Sequence, residues 1–255
     1  MRRFFVPPQS LADDPVLLDG DTLHHMTSVL RLPVGEEVLL LDGTGNLSHC
    51  RLIRLDRKAG AARVLRRWRE TETAFPIQLL QSLPKGDKME LILQKGTELG
   101  ITRFVPVLAG RSTPKPPEQR EDSRLQRWQR IIREAARQCR RPRLPSLSAT
   151  VPLAEALAAC DAELRLLLWE QECRPLAETL PGRRPASAAV LVGPEGGFSA
   201  EEARTAAAAG FIPVGLGPRI LRSETAGFAV AAILQHHYGD LGSVPTPDLP
   251  QGEVS

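Results

Sequence analysis

Four charged side chains crowd two glycine-proline turns near the C-terminus. Glu195 lies in Gly193-Pro194-Glu195-Gly196-Gly197, and Arg219, Arg222 and Glu224 lie in or just after Gly217-Pro218-Arg219. A guanidinium stays charged, and its planar donors can aim at an oxygen that gains negative charge during a reaction. Arg222 and Arg219 are the candidates for that task, although Arg219 suits a backbone or phosphate contact equally well. Glu195 and Glu224 are the nearest carboxylates able to orient those arginines or accept a proton. Both also stand where helices are predicted to begin, a place that favours a carboxylate whatever the chemistry. The glycines let backbone approach a ligand closely, while Pro194 and Pro218 each fix φ and remove an N–H. A cleft of backbone donors and acceptors is predicted, and the lost N–H groups argue against a phosphate-binding nest.

Each turn closes a short apolar run that reads as a buried strand, Ala188 to Val192 and Phe211 to Leu216. Each is followed by a helix start: Ser199 with Glu201-Glu202 close to capping-box spacing, and Ser223-Glu224 before a long apolar run. Upstream, strand signals (Ile77 to Leu83, Phe104 to Leu108, Leu164 to Trp169) alternate with helix signals (Lys88 to Leu99 with Gly100 as stop, Asp122 to Arg141). This alternation predicts an α/β domain with a parallel sheet and helices on both faces. Before it, Arg2 to Val6, Val38 to Asp42, Ser48 to Asp56 and Ala62 to Arg67 are strand-like, and Asp21 is placed to cap a short helix through Leu30. A small β-barrel over residues 1–72 follows, with a boundary at Glu70 to Pro76. The main domain is expected over 73–240, and 241–255, rich in proline and glycine, is expected to be a disordered tail.

Several classes are disfavoured by what the chain lacks. It has no G-x-G-x-x-G turn, Walker A loop or G-x-S-x-G elbow. Cys50, Cys139, Cys160 and Cys173 are scattered, and the adjacent pairs His24-His25 and His236-His237 suit a single metal poorly, so no metal is expected. No signal peptide or membrane-length apolar run is legible, which predicts a soluble cytoplasmic protein.

Net charge is +3, yet Arg111 to Arg143 holds eleven Lys or Arg against four Asp or Glu. Such asymmetry suits a polyanion as well as it suits a solvated helix surface. Leu125, Trp128, Ile132, Ala135 and Cys139 recur at helical spacing as a core-facing stripe, and Arg127, Arg130, Arg137 and Arg141 fall off it, leaving a dense guanidinium surface expected to contact RNA phosphates.

Leu191 to Ser199 and Leu216 to Ala226 resemble the two signature segments of the bacterial 16S ribosomal RNA uracil-N3 methyltransferase family, within the SPOUT superfamily. Lys85 to Ile101 and Trp128 to Pro145 are similar to two further segments, so the resemblance covers nearly the whole chain before the tail. It implies a SPOUT-type fold with a C-terminal trefoil knot around Gly193 to Thr225, and a PUA-like RNA-binding barrel at the N-terminus. It further implies S-adenosylmethionine as cofactor, bound by Leu168, Gly193, Pro194, Glu195, Gly196, Gly197, Leu216, Gly217, Ile220, Leu221 and Arg222. Arg222, Arg219 and Glu195 are the implied catalytic residues. Arg3 and Arg31 match basic family positions with RNA contact as their implied role, and Gln138 and Arg141 match positions near the reaction cleft. The implied partners are 16S ribosomal RNA or the assembled small subunit, with no membrane, and a second copy that helps complete the cleft. Ala226 to Leu234, too continuously apolar for a helix with one wet face, fits that dimer. A non-catalytic RNA-binding protein that kept the cofactor fold is the competing reading.

Overall fold

A computed structural model describes residues 1–72, 74–112, 118–171 and 173–243. These form two compact units, one of residues 1–72 with 136–144, the other of 74–135 with 145–242. The expected tail, 241–255, lies mostly outside the described residues.

In the first unit the chain runs β1 (Arg2–Phe5), α1 (Pro8–Ala12), β2 (Val16–Leu18), α2 (Gly20–His24), a π-helical turn His25–Val29, β3 (Glu37–Leu41), β4 (Asn46–Leu55) and β5 (Gly60–Arg69). The sheet order is β1-β3-β4-β5-β2, with β1 parallel to β3 and the other pairs antiparallel. β1 and β2 stand at opposite edges, so the hydrogen-bonded path is an open five-stranded sheet. β2, only three residues long, is absent from the sequence reading. Asp21 is not the cap expected there: Asp19 takes that position, and Asp21 lies inside the first turn. Ala136 packs with Phe5, Leu39, Leu41 and Leu47, which is how residues beyond 135 become part of this unit's core.

The second unit contains β6 (Ile77–Ser82), α3 (Lys88–Glu98), β7 (Arg103–Leu108), α4 (Glu118–Gln138, whose last residues belong to the first unit), β8 (Ser146–Leu147), β9 (Val151–Pro152) and α5 (Leu153–Ala158). It continues through β10 (Leu164–Leu168), β11 (Arg174–Pro175), α6 (Leu176–Thr179), β12 (Ala188–Val192), α7 (Ala200–Ala208), β13 (Ile212–Gly215) and α8 (Ser223–Tyr238). The order is β11-β13-β10-β12-β6-β7-β8, with β9 also on β7, and every pair is parallel. β12 is apolar throughout because both its faces are covered. Ala188, Val190 and Val192 pack in the core that holds α3, α4 and α8, whereas Ala189 and Leu191 pack in the core that holds α5 and α7.

Helix α3 ends as expected, with Gly100 at φ +81°. The basic helix stops at Gln138, short of the expected Arg141, and Arg140 follows at φ +64°. Gln235 on α8 is buried and closes the domain from inside: its Oε1 accepts from the Phe75 N–H at 2.8 Å, and its Nε2 donates to the carbonyls of Phe75 and Gly100 at 2.9 and 3.0 Å. Gln235→Leu strands these backbone groups, each at a cost of about 1–3 kcal/mol. Denaturant titration should therefore show a loss of about 3 kcal/mol or more with an unchanged slope.

Candidate functional site

The two glycine-proline turns meet beyond the carboxyl ends of β10, β12 and β13, the end at which open parallel sheets present ligand sites. They line a cavity of about 810 Å³. Its wall includes Leu168, Gly193, Pro194, Glu195, Gly197, Leu216, Gly217, Arg219, Ile220, Leu221 and Arg222. Gly196, expected with them, is not among the lining residues; its carbonyl accepts from Arg111 Nη1 at 2.7 Å.

Local sequence explains both loops. In the first, Gly197 donates its N–H to the Pro194 carbonyl at 2.9 Å and takes φ +65°. α7 then starts with a complete capping box: the Glu202 N–H donates to Ser199 Oγ at 3.2 Å, and the Ser199 N–H donates to Glu202 Oε2 at 2.8 Å. Glu202 Oε1 also accepts from the Gly110 N–H at 2.7 Å. Partial burial pulls the Glu202 pKa up, but these N–H donors outweigh it and hold the carboxyl below its ordinary value.

In the second loop Gly217 takes φ +91°, and a Cβ built on it meets no atom within 4 Å. The cap of α8 is Arg222, not Ser223. Ser223 does something sequence reading missed: its hydroxyl donates to the Gly193 carbonyl at 2.5 Å and accepts from buried Gln81 Nε2 at 2.9 Å. The start of α8 is thereby tied to the first turn.

The carboxylates do not serve the arginines. Among the described residues no ion pair joins Glu195 or Glu224 to Arg219 or Arg222. Instead Lys88, in the first turn of α3, donates to Glu195 Oε1 at 2.7 Å and stands 3.7 Å from Glu224 Oε2. The Lys85 N–H adds a contact to Glu195 Oε1 at 3.1 Å. Burial acts to raise the Glu195 pKa, but Lys88 and the N–H of Lys85 prevail, so the carboxyl stays below its ordinary range and is a poor proton acceptor. Lys88 lies in the family-like segment Lys85 to Ile101, but nothing in that segment points to this role, because its partners lie more than a hundred residues away. Arg219 and Arg222 are both exposed at the cavity and have no competing ion pair among the described residues, which leaves their donors available to a ligand.

The basic residues divide. Arg31 and Arg130 are exposed, Arg127 pairs with Glu90 at 2.8 Å, and Arg137 Nη1 lies 3.1 Å from His25 Nε2. Arg3 and Arg141, expected as RNA contacts, turn inward. Arg3 is buried and donates to the Arg140 carbonyl at 2.7 Å, and Arg141 is buried and donates to Glu72 at 2.8 and 3.1 Å. Arg141 leaves the helix surface because the chain turns at Arg140.

Residues 71–235 match the family model described as RNA methyltransferase domain, and residues 18–65 match the one described as RNA methyltransferase PUA domain. A Synechocystis protein named ribosomal RNA small subunit methyltransferase E is 37% identical over 88% of this chain and 74% of its own length. The crystal structure of a Neisseria gonorrhoeae protein of the same name, bound to S-adenosyl methionine, superposes with a TM-score of 0.85 at 34% identity, covering 94% of this chain and 99% of that one. A Legionella pneumophila putative methyltransferase in complex with bound SAM gives a TM-score of 0.86 at 31% identity, covering 94% and 98%. Fold and site thus define an RNA methyltransferase. The chain belongs to the ribosomal RNA small subunit methyltransferase E family.

Proposed function

We propose that this protein transfers the methyl group of S-adenosylmethionine to N3 of a uridine in the 16S RNA of the small ribosomal subunit. The observation that carries the reading is the cavity of about 810 Å³ lined by both glycine turns and by two exposed arginines. The cofactor fits the residues present: the volume suits a nucleoside-sized ligand, the turns offer backbone donors and acceptors, and the space beside Gly217 is open. Leu168, Gly193, Pro194, Glu195, Gly197, Leu216, Gly217, Ile220, Leu221 and the backbone of Arg222 would hold it. When bound it supplies an electrophilic methyl on a positively charged sulfur.

The protein's own task is to present N3 in line with that methyl, so positioning dominates. As the N3 proton leaves, charge spreads onto the flanking carbonyl oxygens. Arg222, or Arg219 in its place, donates to those oxygens and stabilises the charge as it forms. Glu195, held as an anion by Lys88, shapes the first turn, and the N3 proton passes to solvent water.

RNA recognition is assigned to arginines on both units. Arg31, Arg127, Arg130 and Arg137 contact phosphates, while Arg3 and Arg141 support the backbone from which their neighbours act. Residues 1–72 are read as the PUA-like RNA-binding part, 73–240 as the methyltransferase part with Gly193 to Thr225 in a trefoil knot, and 241–255 as a tail. The tie from Ser223 to Gly193 and the insertion of β12 between β6 and β10 are what supports the knot. A second copy is proposed against α8, where Ile233 is 42% exposed beside a cavity that Leu176, Leu180, Leu221 and Ala229 also line. A ribosomal substrate would place the protein in the cytoplasm.

Mapping a labelled methyl group on ribosomal RNA incubated with the protein tests the reaction. Label at N3 of one uridine is expected; RNA binding without incorporation would favour the non-catalytic alternative. Salt dependence tests the RNA surface. Replacing Arg127, Arg130 and Arg137 by alanine should flatten the slope of log K against log salt by about 0.7–0.9 for each lost phosphate contact, and an unchanged slope would return these arginines to solvent.

A further inference from the structure

Among the described residues, Lys88 is the one cation inserted between the carboxylates of the two signature segments. It belongs to neither segment: it projects from α3, touches Glu195 at 2.7 Å and Glu224 at 3.7 Å, and lines the cavity itself. Glu224 Oε2 is buried and has no hydrogen-bond donor, so the nearby ammonium is its electrostatic counterpart. With the side chain of Glu224 only 12% exposed, water screens this negative charge weakly.

The charges around the cavity are closely balanced. Lys88, Arg219 and Arg222 face Glu170 and Glu195 in the wall, with Glu224 just behind. Removing one positive charge from this set makes the field in the cleft more negative. The consequence depends on the occupant's charge. S-adenosylmethionine carries a sulfonium in addition to its ammonium and carboxylate, while the product, S-adenosylhomocysteine, has lost that positive charge with its methyl group and is otherwise almost the same molecule.

We infer that Lys88 is a specificity-determining residue that sets how strongly the cleft distinguishes the cationic cofactor from its neutral product, by offsetting the charges of Glu195 and Glu224. It acts through those two carboxylates and not on the reacting atoms. A cleft without Lys88 grips the sulfonium form more tightly relative to the product. Tight ground-state binding of that positive charge opposes methyl transfer, because the charge on sulfur disappears in the step. The inference rests on the cofactor reading above and adds to it a source of discrimination outside the signature segments.

The test is calorimetric titration of the full-length protein, its Lys88→Met variant and its Lys88→Arg variant with each of the two compounds. In Lys88→Met the ratio of product Kd to cofactor Kd should rise by roughly three- to tenfold, the effect of one unit charge several ångströms away at partial screening. Lys88→Arg keeps the charge and should restore the native ratio. A purely structural lysine would weaken both ligands together, so an unchanged ratio in Lys88→Met overturns the inference. Lys88→Gln, which retains a hydrogen-bond donor, replaces Lys88→Met should that variant not fold, and it is held to the same ratio. If the unsubstituted protein binds neither compound, the cofactor reading itself has failed, an outcome distinct from an unchanged ratio.

Discussion

Arg222→Ala is expected to lower kcat about 100-fold or more while cofactor affinity changes by less than about threefold. A single donor aimed at developing negative charge typically contributes that much, corresponding to about 2.7 kcal/mol in the barrier. The split between rate and affinity follows from when the interaction forms. The carbonyl oxygens next to N3 carry little extra charge in the bound substrate and much more as the proton leaves, so the guanidinium matters most at the transition state. Arg222 is exposed and makes no ion pair among the described residues, so its truncation should leave Tm nearly unchanged. Single-turnover methylation of ribosomal RNA, paired with calorimetry, measures both quantities. Near-native turnover would transfer the role to Arg219.

Gly217→Val should weaken cofactor binding by about 10- to 100-fold with only a small change in global stability. At φ +91° an L side chain is strained, at a cost of order 1–3 kcal/mol, and a β-branched one is the worst choice. The loop has two responses, and both harm the site. It either changes φ and moves its carbonyl and N–H groups out of position, or keeps its shape and lets the new side chain enter space that is now open. Since Gly217 is exposed and outside the core, the loss should appear in the Kd for S-adenosylmethionine rather than in the unfolding midpoint. Native affinity in this variant would mean that the second turn does not touch the ligand.

Those two positions were legible in the sequence because their signals are local. An apolar run, a Gly-Pro pair and a capping residue lie within a dozen positions of one another, and the strand over Ala188 to Val192 coincides with β12. What was not legible depends on contacts far apart along the chain. Lys88 is an ordinary helix-start lysine until folding brings Glu195 and Glu224 to it. Ser223 looked like a cap because serine favours that place, yet its hydroxyl is engaged by Gln81 and Gly193, and Arg222 takes the cap. The sequence places Arg141 on the helix surface because no glycine marks the end of α4. The turn is made by Arg140 in a left-handed conformation that arginine seldom adopts. β2 escaped notice because three residues cannot establish an alternating pattern.

The core of the N-terminal unit is not written in one stretch of the gene. Ala136 completes a cluster with Phe5, Leu39, Leu41 and Leu47, Arg141 answers Glu72, and Leu144 donates its N–H to the Gly43 carbonyl at 2.9 Å. A fragment cut after residue 72 would thus leave apolar surface bare and a carboxylate without its counter-charge, although every strand of its sheet is present. Transplanting this unit onto another enzyme, or deleting it cleanly, would require the nine residues from Ala136 to Leu144 to travel with it. Recombination at a single breakpoint after residue 72 would separate Ala136 to Leu144 from the sheet whose core they complete.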